Sequence, residues 1–210
     1  VEEKDDVECC EAEEELFARL YWKRLLPIAV RKMLDDFGLV GQHFVETPER
    51  VTKAFAELLE FTHDDVRLAE LHELFTRRFS TNSSGMVIYR DLQASSVCPH
   101  HLLPVLYEVV IGYIPREFVL GASKFARAVR VIAAQPVTQE AFTDQVADEF
   151  FKALDARGVI VMVQGTHTCM CSRGAKTNSK MLTSSVRGIF AAEDTAKQEF
   201  FNVLRTMPGN

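Results

Sequence analysis

Tyr107-Glu108-Val109-Val110-Ile111-Gly112-Tyr113-Ile114, closed by Pro115, decides how the rest of the chain is read. Its β-branched and aromatic residues spell a strand. Met86-Val87-Ile88-Tyr89 precedes it as another β-rich run, the Val-rich stretch 158–164 follows, and 181–190 reads as one more strand. Residues 123–134 and 138–157 carry helical patterns separated by Pro136, and 193–205 reads as a closing helix. Toward the N-terminus the pattern is helical throughout. Apolar residues recur at helical spacing over 13–36 (Leu16, Leu20, Ile28), with Gly38 as the C-cap and Pro27 expected to kink or divide the run. Thr47 reads as an N-cap with Pro48 at the first helical position, opening a helix with Val51, Ala54, Phe55, Leu58 and Leu59 on one face. A further helix is expected over about 64–79, then a polar break at 80–85. Helices first, then a largely antiparallel sheet with two helices on one face, is the α+β pattern. Neither an internal repeat nor a low-complexity linker interrupts it. One domain with a helical N-terminal extension is the natural division.

With 47% hydrophobic residues, a chain of 210 can bury a sizeable core. No apolar run approaches the roughly 20 residues of a membrane-spanning helix. The opening Val1-Glu2-Glu3-Lys4-Asp5-Asp6 is too acidic for a signal peptide or an Arg-rich transit peptide. The formal charge of -6 is unevenly placed: residues 1–15 carry nine acids against Lys4, which leaves the remainder at +2. That segment reads as an acidic, disordered leader. A mildly basic body suits an anionic small molecule and lacks the basic excess of a nucleic-acid binder. The five cysteines, Cys9, Cys10, Cys98, Cys169 and Cys171, are odd in number and show no disulfide spacing, which favours a reducing compartment, the cytoplasm, with thiols free for metal.

Two clusters carry chemistry. Cys98-Pro99-His100-His101 follows one strand, and Thr166-His167-Thr168-Cys169-Met170-Cys171 ends another. Thiolate and imidazole together prefer zinc. Cys98 and His101 can reach one ion from a turn, and a cysteine of the second segment would make three ligands. Three ligands leave a position for water, whose pKa a zinc ion lowers to roughly 7. A closed structural site using both Cys169 and Cys171 is the competing reading. His100 and His167 sit beside the candidate ligands, where imidazoles are natural proton carriers.

Cys98-Pro-His-His-Leu-Leu-Pro104, Tyr113-Ile-Pro115, Gly121-Ala-Ser-Lys-Phe-Ala-Arg127, Gln139-Glu140, Thr166-His-Thr-Cys-Met170 and Arg173-Gly174 together resemble GTP cyclohydrolase I, as does Glu46-Thr-Pro-Glu-Arg50. The blocks run in the family's order from about Asp36 to the C-terminus. The resemblance implies zinc on Cys98, His101 and Cys169, with His100 and His167 as the acid/base pair. It implies zinc-hydroxide attack on guanine C8, loss of formate and reclosure to 7,8-dihydroneopterin triphosphate, the first step toward folate or tetrahydrobiopterin. Arg50, Lys124, Arg127 and Arg173 fall at its phosphate-binding positions, and Ser123 adds a hydroxyl and reads as an N-cap. Gln139-Glu140 fall where the family grips guanine. The implied fold is the tunnelling fold over 81–210, with 16–80 as the helical extension, in a homodecamer whose active sites are shared, Arg50 crossing from a neighbour. Regulation by a partner protein is a family possibility that the residues do not decide. Departures are Pro99 for a frequent Glu, Tyr107-Glu108 for a Gly-basic pair, and Ala134 and Gln135 for basic residues. The segment 173–178 is also one residue shorter than in many relatives. The rival readings are another enzyme of the same fold group, such as a nitrile reductase, and an inactive binding subunit.

Overall fold

The computed structural model describes residues 21–206, so the acidic leader, Cys9, Cys10, Leu16 and Leu20 lie outside the described residues. The chain divides into two compact units, one ending at Glu57 and one beginning at Leu58. The first contains helix α1 over 21–36, a 3-10 turn at Gln42–Phe44 and all but the last residue of helix α2 (Thr47–Leu58). Pro27 does not divide α1, which is helical on both sides of it. A single missing N–H is tolerated where the neighbouring turns keep their own hydrogen bonds. Gly38 caps the helix as expected: its φ is 66°, its N–H reaches Asp35 C=O at 3.0 Å, and Leu39 N–H reaches Leu34 C=O at 2.9 Å. Thr47 is not the N-cap of α2. The first helical bond runs from Arg50 N–H to Glu46 C=O at 3.0 Å, which makes Glu46 the cap and Pro48 the second helical residue. The Thr47 hydroxyl turns back to His43 C=O at 3.4 Å. Any first-turn position suits a proline, because those N–H groups have no partner inside the helix.

The second unit opens with α3 (Asp64–Thr76), shorter than expected because Arg78–Ser80 forms strand β1. Phe79 therefore lies in a strand, paired with Val119 of β4 (Phe118–Leu120). Strands β2 (Val87–Val97), β3 (Pro104–Ile114), β5 (Gly158–His167) and β6 (Met181–Gly188) form an antiparallel sheet in the order β2-β3-β5-β6. An extra residue in β2 between Tyr89 and Leu92 makes a bulge, with Asp91 at φ 60°. The last strand stops at Gly188, whose φ is 61°, so Phe190 belongs to a short helix, α7 (Ile189–Ala192), and not to the strand.

Helices α4 (Ala122–Ala133) and α5 (Gln139–Leu154) pack on one sheet face, as the alternation in β3 requires. Val105, Tyr107, Val109, Ile111 and Tyr113 all turn inward to meet them. Phe125 of α4 stacks on Phe150 of α5 at 4.9 Å, and both are fully buried. Each such side chain contributes roughly 1.5–3 kcal/mol by leaving water. Gly121 rather than Ser123 caps α4, so Ser123 is the second residue of the helix. Thr138 caps α5 by accepting from Ala141 N–H, and Asp155 ends it at φ 44°. The closing helix α8 (Asp194–Thr206) covers part of the opposite face, where Phe200 presses so close to Gly112 that a Cβ there would lie 2.7 Å from its ring. Among the described residues no helix is long and apolar enough to cross a membrane.

Candidate active site

Strand register builds the site. β2 ends at Val97 opposite Pro104, the first residue of β3, and Val105 pairs in turn with His167, the last residue of β5. The segments after β2 and β5 therefore leave the sheet at the same end with one strand between them, roughly 10 Å apart at two strand spacings. Cys98 opens a tight turn: its C=O accepts from His101 N–H at 3.3 Å and Leu102 N–H at 2.8 Å, and its own N–H donates to Leu103 C=O at 2.9 Å. On the other side α6 (Thr168–Cys171) begins directly after β5, and the Thr168 hydroxyl fastens it to Pro104 C=O at 2.6 Å.

The turn and the short helix bring Cys98, His101 and Cys169 together, their ligand atoms all within 4.8 Å of one another. Cys98 Sγ lies 3.6 Å from His101 Nδ1. Tetrahedral zinc with bonds of about 2.0–2.3 Å places its ligands roughly 3.5–3.8 Å apart, so the trio fits that ion after small adjustments. Both cysteines are buried and His101 is exposed, which leaves the site open on one side. Cys171 does not join the group. Two residues apart on a helix means about 200° around its axis, so Cys169 and Cys171 face different ways. The alternative with both cysteines as ligands therefore loses its fourth ligand. Burial pushes the Cys169 thiol above its ordinary value, the facing Cys98 sulfur adds to this, and Arg173 opposes it. A bound cation would reverse the balance by favouring thiolate.

Both spare histidines border this trio. His100 is exposed, with Nδ1 3.7 Å from Cys98 Sγ. His167 is half-buried and its Nε2 lies 3.0 Å from Gln139 Oε1. Burial lowers the His167 pKa, and the nearby Glu140 carboxylate works against that shift. Glu140 is exposed in the first turn of α5, whereas Gln139 beside it is 1% exposed.

The residues expected at the phosphates come from three segments of the chain. Ser123 and Arg127 are exposed on α4, and Lys124 gives its ammonium to the Leu74 carbonyl. Arg173 is exposed after α6, and Arg50 lies in the other unit, paired with Glu46 at 2.5 Å. Three residues with site contacts were not candidates from sequence: Thr143, Thr183 and Gly165, all packed around Gln139. Tyr107 was noted only as a departure. Its ring stacks on Phe142 at 4.5 Å, and among the described residues its buried hydroxyl has no hydrogen-bond partner. Burial drives its pKa far above the usual phenol value. The Ser96 hydroxyl close by donates instead to Gln135 C=O at 2.8 Å.

Comparison with known proteins agrees with this geometry. The family model described as GTP cyclohydrolase I matches residues 28–205. A GTP cyclohydrolase 1 of Brevibacillus brevis is 39% identical over 181 residues, covering 84% of this chain and 94% of that protein. One from Leptospira biflexa is 38% identical, covering 77% and 87%, and one from Bacillus subtilis is 36% identical, covering 87% and 96%. With the matched region running from α1 to α8 and containing the Cys98, His101, Cys169 group, the chain belongs to the GTP cyclohydrolase I family.

Proposed function

We propose that this family member opens the imidazole ring of GTP and recloses it, yielding 7,8-dihydroneopterin triphosphate and formate at the start of a pterin pathway. The observation that carries the reading is the convergence of Cys98, His101 and Cys169, with His100 and His167 left over beside them. Zinc held by the three ligands would supply a Lewis acid and an acidified water for hydrolysis at C8. His100 and His167 carry the protons: one protonates guanine N7 as the ring opens, and the pair serve the later steps at the ribose. Glu140 accepts from guanine N1–H and the 2-amino group, a pattern that adenine does not offer. Ser123, Lys124, Arg127, Arg173 and Arg50 receive the triphosphate, with Arg supplying paired N–H donors and Lys a point charge.

The extended architecture follows from the same reading. The domain is a tunnelling fold over 81–210 with a helical extension over 16–80. The outer strands β2 and β6 would meet those of neighbouring chains to close barrels, and Arg50 would come from a neighbour in a homodecamer. The reducing compartment is the cytoplasm. The test is incubation of the zinc-loaded chain with GTP, reading formate release and the fluorescent pterin formed on oxidation. His100→Ala and His167→Ala should keep about one zinc per chain and lose roughly 100- to 10,000-fold in turnover. A fully metallated wild type that leaves GTP intact would favour the inactive binding subunit.

A further inference from the structure

We infer that Gln139 is a positioning residue for His167: its carboxamide oxygen fixes the ring with the proton on Nε2, which leaves Nδ1 as the nitrogen that exchanges protons. The inference rests on the proposed acid/base role of His167.

The direction of every hydrogen bond around Gln139 can be worked out. Thr143 Oγ1 donates its single proton to Gln139 C=O at 2.7 Å, one helical turn back. The contact of 2.6 Å between Thr143 Oγ1 and Thr183 Oγ1 must then use the Thr183 proton. Thr183 Oγ1 is left as an acceptor toward the Gln139 side chain at 3.1 Å. The other two groups around that end of the carboxamide are Val163 C=O at 3.1 Å and Met181 C=O at 3.0 Å, and carbonyls only accept. Three acceptors demand the NH2 group. The oxygen is therefore the atom that faces His167, and at 3.0 Å it can only receive a proton from Nε2.

Packing keeps the amide in that orientation. Gln139 is 1% exposed, so reversing it would bury an oxygen against three acceptors. The carboxamide enters the sheet face over Gly165, where a Cβ would lie 2.0 Å from Gln139 Oε1. Gly165 is thus the opening through which the oxygen reaches the histidine, two residues before His167 in β5. All polar atoms of the Gln139 side chain are engaged by the protein. A second group orienting the proton carrier is the arrangement that acid/base sites need, because the wrong tautomer presents the wrong nitrogen.

The experiment uses the full chain loaded with zinc and labelled with 15N-histidine, with His167→Ala identifying the signal. Near neutral pH the ring should show a protonated Nε2 and a bare Nδ1. The opposite tautomer overturns the inference, and this measurement needs no folded variant of Gln139. Gly165→Ala should push the oxygen aside, mix the two tautomers and lower kcat about 10- to 100-fold, with zinc and the KM for GTP unchanged. A raised KM at normal kcat would instead make Gln139 a substrate contact and sink the proposal. Failure of the underlying reading looks different: His167→Ala itself would turn over normally, leaving nothing to position.

Discussion

Cys98, His101 and Cys169 come to one point because β2 and β5, on either side of β3, end there, whereas the five residues expected to hold the triphosphate come from three segments of the chain. Ser123, Lys124 and Arg127 lie on α4, Arg173 follows α6, and Arg50 belongs to another unit. The metal half depends on backbone register, which one chain sets by itself. The proposed cation half rests on long side chains, most of them exposed, whose charge suits a polyanion. Arg127 and Arg173 enter no ion pair among the described residues, which suits groups waiting for phosphate. On the proposed reading, the chemistry that needs fixed geometry sits on strand ends, and the binding that tolerates adjustment sits on helix surfaces and loops.

The sharpest way to break the contrast is to remove the metal half. Cys98→Ala, His101→Ala and Cys169→Ala should each lose both zinc and turnover, measured by metal content per chain and pterin formation. Cys171→Ala should retain both, since Cys171 stands apart from the trio. A Cys171 variant that empties the site while Cys169→Ala stays loaded would overturn the reading of α6.

Arg50 tests whether the other half is completed by a neighbour. Losing a charge-assisted phosphate contact of roughly 1.5–3 kcal/mol should cut kcat/KM about 10- to 150-fold in Arg50→Ala. When this variant is dissociated and reassembled with inactive Cys98→Ala chains, mixed sites with a sound metal centre and a sound Arg50 should form. Activity should then exceed the sum of the two parents. If mixing yields only that sum, Arg50 serves its own chain or none.

The contrast also marks what was readable in the residues. The two Cys/His clusters, the strand that carries each and the two helices between them follow local patterns, while the choice of Cys169 over Cys171 rests on the family resemblance. Gly38 capping α1 follows a local pattern too, since a cap acts within a turn of its own position. What escaped was set at a distance. Phe79 leaves the helical run because it pairs with Val119, forty residues away, in strands only three residues long. The carboxamide of Gln139 is taken up by Val163, Met181, Thr183 and His167 from two strands. No periodicity in the sequence carries that network. Gly165 was equally silent, because the reason for a missing side chain lies in the neighbour that fills its place.

The smallest expected effect separates two cations one turn apart on α4. Lys124 gives its ammonium to Leu74 C=O, which belongs to the last turn of α3, where carbonyls lack a helical partner. The charge also suits the negative end of that helix. Arg127 is exposed and makes no such contact among the described residues. Lys124→Met keeps the aliphatic stem but strands the carbonyl, at a cost of about 1–3 kcal/mol. In a chain of this length each kcal/mol lowers Tm by about 2–4 °C. Lys124→Met should therefore lower Tm by several degrees and also raise the KM for GTP. Arg127→Met should leave Tm unchanged and raise KM roughly tenfold or more, since only the phosphate contact is lost. Thermal melts and steady-state kinetics on both variants decide the point. An equal fall in Tm for the two would show Arg127 holding the fold as well. An unchanged Tm for Lys124→Met would mean its ammonium is as free for phosphate as Arg127.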